Sequence, residues 1–500
     1  MNRKKIQAGH KLWQSSSEPF YRSFVKSLSD CKEVQEKMLL RIVQSNYDSE
    51  YGNLCNFREI DSVESFRKNV PLSSYSDYKP YIQRIMMGEK KLLTSEPVLL
   101  LEPSGGSTSA SKLIPYTQAL RQEFQSGIHP WLYDLYEYYP DISNGRMYWS
   151  ISPSLMKQSF ASQVPVGFDD DASYLGETAR TVFPDISVTP DVHNALDMEQ
   201  FREITMQSLT LEHDLSLISV WSPSFLRILF DWYLDKQKIR DKSFFAGIWS
   251  NLQVVSCWTC ADSRLEADLL KEYLPHTEIQ GKGLIATEAF VSLPFAGYED
   301  PVLSICSHFF EFESEDGEIL LANELDKGKT YSVIVTTGGG FYRYRVGDMV
   351  LVTGYAESTP LLRFIGKKSM VSDRRGEKLN AHHVAEVLEK VIGGRQCSFY
   401  MMAPDYDGDD LAYTVYVEGN NIFEMCIADQ VESLLQHNPH YQYCSALGQV
   451  QRVRVFQITH DAVAAYEQRC IEKGQTPGDI KLMALSKYDG WSEYFKGDYV

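Results

Sequence analysis

YSVIVTTGGGFYRYRVGDMVLVTGY, residues Tyr331 to Tyr355, is the stretch on which the fold turns. Two apolar, β-rich segments flank Gly338, Gly339 and Gly340, and the arrangement reads as a hairpin whose turn depends on glycine. Along the second strand a period of two sets Tyr342 and Tyr344 on one face and Arg343 and Arg345 on the other. Asp348 follows Gly347, a position where a strand bends or a ligand approaches closely. A carboxylate there suits two neighbouring ribose hydroxyls, and equally a salt bridge to Arg345.

Outward from this hairpin the pattern separates into zones. Residues up to about Asp77 carry apolar side chains at helical spacing, as in KLWQSSSEPFYRSFVKSL and CKEVQEKMLLRIVQSN. From PVLLLEPS onward short apolar runs alternate with helical stretches: LSLISVWSP precedes SFLRILFDWYLDKQ, and LQVVSCW precedes ADSRLEADLLKEYL. That alternation predicts an α/β fold with substantial sheet. A β-rich section with ICSHFFEFES and EILLANEL leads into the hairpin. After Gly366 a helix (HHVAEVLEKVIG), a strand pair and further helices predict a small α+β module. Five hundred residues exceed one typical core, so a large domain over 1–365 and a smaller one over 366–500 are expected.

Lys and Arg number 49 against 67 Asp and Glu, a formal charge of −18. Such a surface repels nucleic acid and anionic lipid, and neither is expected as a main partner. The N-terminus lacks an apolar core of signal-peptide length, and no run reaches the roughly eighteen apolar residues of a membrane span. Nine scattered cysteines predict a reducing cytoplasm. Cys257 and Cys260 form the one CxxC pair, read as two small residues at a strand end rather than a redox dithiol. DYDGDD, Asp405 to Asp410, has Asp410 where a calcium loop requires Gly, and reads as a hairpin turn before LAYTVYVEG.

Four further segments carry candidate chemistry. EPSGGSTSASKLIPYT, Glu102 to Thr117, runs from an apolar strand into small and hydroxyl residues whose N–H and O–H groups suit phosphate oxygens. It lacks the GxxxxGK[ST] of a Walker loop, and many such stretches are plain linkers. In GLIATEAFVSLPF, Glu288 lies between apolar residues, where a carboxylate caps a helix, pairs with Arg or holds Mg²⁺. LLRFIGKKSMVSDRRGEKL carries a basic run between two different segments, either a solvated face or an interdomain hinge. GQTPGDIKLMAL is a loop that brings Lys481 near the C-terminus.

In this order and spacing the pieces resemble the adenylate-forming superfamily. They are more closely similar to its Gretchen Hagen branch, the auxin-responsive acyl acid amido synthetases, in a bacterial-type member. VPLSSYSDYKPYIQRIMMGE, PVGFDDDASYLG, LSLISVWSPSFL and above all TTGGGFYRYRVGDMVLVTGY carry the likeness across nearly the whole chain. The resemblance implies a large domain with mixed sheets and a β-barrel-like section, followed by a mobile C-terminal lid. It implies that Ser107, Thr108 and Ser109 cradle the ATP phosphates, Thr287 contacts the α-phosphate, and Glu288 ligates Mg²⁺. Asp348 would bind the ribose, Arg363 and Lys367 would lie at the nucleotide edge and hinge, and Lys481 would bridge the acyl carboxylate and α-phosphate. Two departures stand out: Ser109 and Gly105 exchange the usual Gly and Ser of the phosphate loop, and Leu284 replaces an adenine-stacking aromatic. The implied reaction joins a small-molecule carboxylic acid to an amino acid through an acyl-adenylate, in a chain with no feature demanding more than a monomer. The alternatives are transfer to a thiol such as coenzyme A, and a non-catalytic nucleotide-binding relative. RMYWSISPS and VWSPSFL read either as pocket lining or as core.

Overall fold

The computed structural model describes the chain except residues 1–2, 105–111, 150–160, 168–174, 193–194, 196–197, 261–262, 368–370, 373, 378, 394–396, 409, 420–425, 474 and 476–479. The helix Arg3–Ser27 buries Ile6, His10, Trp13, Ser17 and Phe24, one stripe at helical spacing. In the helix Cys31–Ser45 the buried Gln35 acts as a polar stitch. Its amide donates to the carbonyls of Ile305 and His308 and accepts from Phe310 N–H, each at 2.8 Å. The predicted N-terminal helices are therefore present and sewn to the sheet behind them.

β1 (Leu100–Pro103) and β2 (Leu113–Tyr116) form an antiparallel ribbon. Next comes a parallel sheet of β3 (Arg146–Trp149), β4 (Ser187–Val188), β5 (Leu215–Ser219), β6 (Val254–Cys257) and β7 (Glu278–Gly281), in the order β4-β3-β5-β6-β7. Every residue of β5 and β6 is buried, the continuous apolar pattern of a sheet covered on both faces. The helix Pro223–Gln237 is one of its covers. The CxxC reads as the sequence suggested: Cys257 closes β6, and burial pushes its thiol up to about 12, so it is no thiolate nucleophile.

β8 (Ser292–Leu293), β9 (Val302–Leu303), β10 (Phe309–Glu313), β11 (Ile319–Leu321), β12 (Thr330–Thr336), β13 (Tyr344–Ala356) and β14 (Thr359–Lys367) form a seven-stranded antiparallel sheet. The hairpin predicted over 331–355 is β12–β13. Its second strand begins at Tyr344, because Arg343 takes a left-handed φ of 47°. The register shifts between Ser332 and Ile334, opposite Gly347 with φ 88°, which is a β-bulge beside Asp348.

β15 (Val371–Ser372) and β16 (Leu379–Asn380) lead to a C-terminal sheet of β17 (Cys397–Asp407), β18 (Asp410–Gly419), β19 (Val450–Ile458) and β20 (Gly497–Tyr499). DYDGDD is the β17–β18 hairpin, with Asp407 opposite Asp410 and Gly408 at φ 61°. Two hydrophobic clusters drawn from residues beyond 378 flank this sheet, separate from the larger cluster that spans Trp13 to Leu362. The whole is a mixed α/β protein, a large N-terminal part followed by a smaller α+β part.

The two parts meet where Ile228 packs against the cluster containing Tyr466 and Trp491. Nearby on the helix Ala462–Glu472, burial pushes the Glu467 carboxyl up to about 8, opposed by Arg202 and Arg227 and assisted by Glu266. A carboxyl with a raised folded-state pKa stabilises the fold at low pH, and that contribution is lost as pH rises from about 4.5 towards 8. Each pH unit in that window is worth up to about 1.4 kcal/mol. Glu467→Gln should therefore melt progressively higher than the parent as pH is raised from 5 to 8. A constant difference in Tm across that range would show that Glu467 does not titrate there.

Candidate active site

Thr287 and Glu288 sit at the tip of a tight turn. Ala286 and Ala289 exchange N–H···O bonds of 2.9 and 3.3 Å, and Ile285 bridges Phe290. Tyr116 at the end of β2 holds the Thr287 carbonyl through its hydroxyl at 2.8 Å. Glu288 is buried, 7% exposed, yet has cationic and phenolic company: Lys112 Nζ lies 3.8 Å from Oε1, and Tyr344 donates its hydroxyl at 3.4 Å. Burial and the Glu288 carboxylate push the Tyr344 phenol well above its ordinary range, so it stays protonated and keeps its hydroxyl hydrogen to donate to Glu288. Lys112 also donates to the Tyr344 hydroxyl at 2.9 Å and lies over the rings of Tyr344 and Tyr75.

Ser107, Thr108 and Ser109 lie outside the described residues, but both ends of their segment are placed. Ser104 N–H donates to Lys112 C=O at 2.8 Å, so the segment leaves and rejoins the β1–β2 ribbon at one point. That point is Lys112, beside Glu288. The hydroxyl-rich segment therefore springs from the place where the Thr287–Glu288 turn and β13 meet.

Asp348 is 2% exposed and pairs with Lys367 at 3.4 Å. Asp348 first, and Glu288 after it, raise the Lys367 pKa against the opposing effect of burial, so one ammonium feels both carboxylates. The Asp348–Arg345 pair envisaged from spacing does not form. Arg345 pairs with Glu313 at 3.0 Å and Arg343 with Glu311 at 2.9 Å, because β10 offers two glutamates on the face opposite the tyrosines. Arg363 makes a bidentate pair with Asp300, at 2.8 and 2.7 Å. Leu284, in the place of the missing aromatic, is buried in the main core.

Lys481 stands somewhat apart from this group. Its ammonium lies 3.8 Å from the ring centroid of Trp258, directly after β6, and 5.7 Å from that of Phe364. Tyr466 donates to its backbone carbonyl at 2.9 Å.

One buried carboxylate that the sequence reading did not single out positions two of the motifs. Glu123, 1% exposed, accepts Gly338 N–H at 2.9 and 3.1 Å and lies 2.8 Å from His308 Nδ1. Since His308 Nε2 accepts Phe290 N–H at 2.9 Å, the ring proton is on Nδ1 and points to Glu123. The glycine turn and the Thr287–Glu288 turn are thus tied to the same side chain. Nothing in the sequence around Glu123 marks this role, since its partners are far away in the chain. Lys112 and Tyr344 carried better signals: one ends the hydroxyl-rich segment, and the other shares a strand with Asp348.

A mixed-sheet body followed by an α+β module, with carboxylates and lysines converging where the two sheets meet, is the architecture of adenylate-forming enzymes. Fold likeness extends to 2-hydroxyisobutyryl-CoA ligase in its postadenylation state (TM-score 0.57, 11% identity, 91% of this chain and 89% of that one). It is greater to an acyl acid amido synthetase in complex with 2,4-DB (TM-score 0.81, 17% identity, 95% of each chain). Models of the GH3 family N-terminal, central and C-terminal domains match residues 20–241, 301–367 and 380–489, and the chain belongs to the GH3 family. Among its curated relatives, a putative indole-3-acetic acid-amido synthetase of Oryza sativa subsp. japonica is 24% identical over 72% of this chain and 84% of its own length. A 4-substituted benzoates-glutamate ligase of Arabidopsis thaliana is 22% identical over 75% of each. Both are plant proteins and lend no support to the bacterial-type membership expected from the sequence.

Proposed function

We propose that this chain is an ATP-dependent acid–amino acid ligase that works through an acyl-adenylate, and that the cluster of Glu288, Tyr344, Asp348 and Lys367 belongs to its nucleotide site. The observation that carries the reading is the convergence of Glu288 and Asp348 on Lys367, at the base of the hydroxyl-rich segment 105–111. In the first half-reaction an oxygen of the acid's carboxylate bonds to the α-phosphorus of ATP and the bond to pyrophosphate breaks. In the second, the amine bonds to the acyl carbon, AMP leaves with the former carboxylate oxygen, and the amine gives up a proton. Both parts of the first step are anionic, so stabilisation by fixed positive charge and donors sets the rate. Lys112, the Tyr344 hydroxyl and the segment holding Ser107, Thr108 and Ser109 would supply donors to the phosphates, with Thr287 at the α-phosphate. Asp348 would accept the ribose hydroxyls, Arg363 and Lys367 would border the nucleotide, and Lys481 would bridge acid and α-phosphate.

Among the described residues no group of three or more His, Cys, Asp or Glu side chains could hold a metal ion. A single buried carboxylate fits Mg²⁺, which is bound by one or two carboxylates together with substrate phosphates. Glu288 is the residue that would hold it, and the ion would neutralise charge on the departing pyrophosphate.

The segment after β14, close to Lys367, would serve as the hinge between parts 1–365 and 366–500, so that Lys481 withdraws after adenylation. The nine free thiols suit a reducing cytoplasm. Among the described residues no helix is long and apolar enough to cross a membrane.

The test is ATP–pyrophosphate exchange across a panel of aryl, indolyl and aliphatic acids, followed by AMP release with amino acids or coenzyme A. Exchange with at least one acid, and AMP release that requires an amino acid, is the expected result. Release with coenzyme A in its place would identify a thioester-forming enzyme, and ATP binding without exchange would identify a non-catalytic relative. Asp348→Asn should raise KM for ATP about tenfold or more, as loss of a charged hydrogen-bond acceptor does, with kcat affected less. An unchanged KM would remove Asp348 from the ribose.

A further inference from the structure

A short stretch that leads into the helix Tyr75–Met86 ties two parts of the candidate site together. Ser73 lies beside Tyr344 in a parallel bridge: its N–H donates to Arg343 C=O, and its own C=O accepts Arg345 N–H, each at 3.0 Å. Ser74 caps the helix, its N–H held by the Asp77 carboxylate at 2.8 Å, one half of a capping box. Tyr75 is the first helical residue, and its side chain reaches β2. Its hydroxyl accepts Leu113 N–H at 2.7 Å and lies 3.4 Å from Leu113 C=O.

Leu113 directly follows Lys112, so Tyr75 acts on that lysine at two points. The hydroxyl fixes the backbone one residue on. The ring lies over the ammonium at 5.8 Å, and the Tyr344 ring lies over it at 5.6 Å. The Tyr344 hydroxyl accepts from the same ammonium at 2.9 Å, and Glu288 Oε1 is 3.8 Å away. Two aromatic faces, a phenol and a carboxylate thus define where the charge sits. The Lys112 side chain nevertheless remains 35% exposed, against 8% for Glu288, so the cation is not sealed from an incoming anion. A lysine stem is long and flexible, and ordering it on binding costs affinity. A stem already ordered donates without that cost, which matters most where negative charge develops.

We propose that Tyr75 is a positioning residue for adenylation: together with Tyr344 it holds the Lys112 ammonium in the orientation from which it donates to the phosphates of ATP. The proposal deepens the ligase reading and rests on its assignment of Lys112 to those phosphates. A purely structural anchor for the helix would need neither the ring over the ammonium nor the bond to Leu113. Ser74 and Asp77 already cap that helix, and the buried Tyr78, Ile82 and Ile85 bind it to the main core.

The test measures pyrophosphate exchange and calorimetric ATP binding for the full chain and for Tyr75→Leu, Tyr75→Phe, Lys112→Met and each Tyr75 variant combined with Lys112→Met. Tyr75→Leu should raise KM for ATP about five- to tenfold, from loss of one cation–π contact and one hydrogen bond, and leave KM for the acid unchanged. Tyr75→Phe keeps the ring, loses the Leu113 anchor and should raise KM for ATP about threefold. On the Lys112→Met background each Tyr75 variant should add less than about twofold, because the group it positions is gone. If Tyr75→Leu does not fold, the cycle with Tyr75→Phe decides by the same criteria. An unchanged KM for ATP, full multiplication of the two effects in the combined variants, or an equal rise in KM for the acid would each overturn the proposal while leaving the ligase intact. Exchange with no acid would instead remove the ligase reading, and the same cycle in the calorimetric Kd for ATP would then judge Tyr75 by itself. A parent that binds no ATP would remove both.

Discussion

Lys481→Ala should slow acid-dependent pyrophosphate exchange by about 10²- to 10³-fold, the range measured when one preorganised donor to a developing oxyanion is removed. The same variant, supplied with preformed acyl-adenylate and an amino acid, should form the amide at close to the parent rate. The asymmetry follows from where charge develops. In adenylation a carboxylate must approach a triphosphate, and one compact ammonium between them offsets the repulsion. In aminolysis an uncharged amine meets an already activated carbonyl, and no such cation is needed. The structure places the Lys481 ammonium on the indole of Trp258, at the carboxyl edge of the parallel sheet. A cation–π contact of that kind contributes about 0.5–1 kcal/mol at a partly exposed site, so Tm should change little. Lys481→Arg is a useful companion, because a planar guanidinium keeps the charge and the stacking but not the point-like geometry. Exchange within about threefold of the parent in Lys481→Ala would exclude Lys481 from the first half-reaction.

That lysine shows what a sequence discloses and what it withholds. Gly474, Pro477 and Gly478, on which its expected loop rests, lie outside the described residues, whereas the β12–β13 hairpin is legible through three consecutive glycines between β-rich runs. The reasons for those glycines are less legible. Only Gly340 takes a positive φ, of 98°. At Gly338 a Cβ would lie 2.7 Å from Ala119 Cβ and Glu123 Oε1, and at Gly339 it would lie 2.8 Å from Pro115 O, so tight packing excludes side chains there. Strand alternation also misleads where backbone geometry breaks it. Arg343 is left-handed and precedes the strand, and Arg345 finds Glu313 on β10 rather than Asp348 three residues away. Pairings of that sort depend on sheet order, which no local pattern encodes. The tryptophans near Lys282 are an intermediate case: RMYWSISPS and VWSPSFL each show an aromatic at or just past a strand end. Their meeting at Lys282 follows only once the strands are known to be parallel and adjacent.

Glu123→Ala should cost about 3–5 kcal/mol of stability, the usual penalty for removing one member of a buried charged hydrogen-bond network. Three partners lose their acceptor together: Gly338 N–H, the His308 Nδ1 proton and Arg41, whose guanidinium lies 3.1 Å from Oε1. The first two are buried, and an unmet buried donor keeps its full desolvation cost. Glu123→Gln retains one acceptor oxygen and should lose roughly half as much. The effect should also reach the site, because the Gly338–Gly340 turn and, through His308 and Phe290, the Thr287–Glu288 turn depend on this carboxylate. Glu123→Ala at a temperature where it remains folded should therefore raise KM for ATP, although Glu123 has no place in the proposed nucleotide contacts. A double-mutant cycle with His308→Phe separates relay from simple packing. If the two side chains act through one another, the paired loss will fall short of the sum of the single losses by at least about 1 kcal/mol. Additive losses, or a urea midpoint for Glu123→Ala near that of the parent, would show that the two turns are set independently of Glu123.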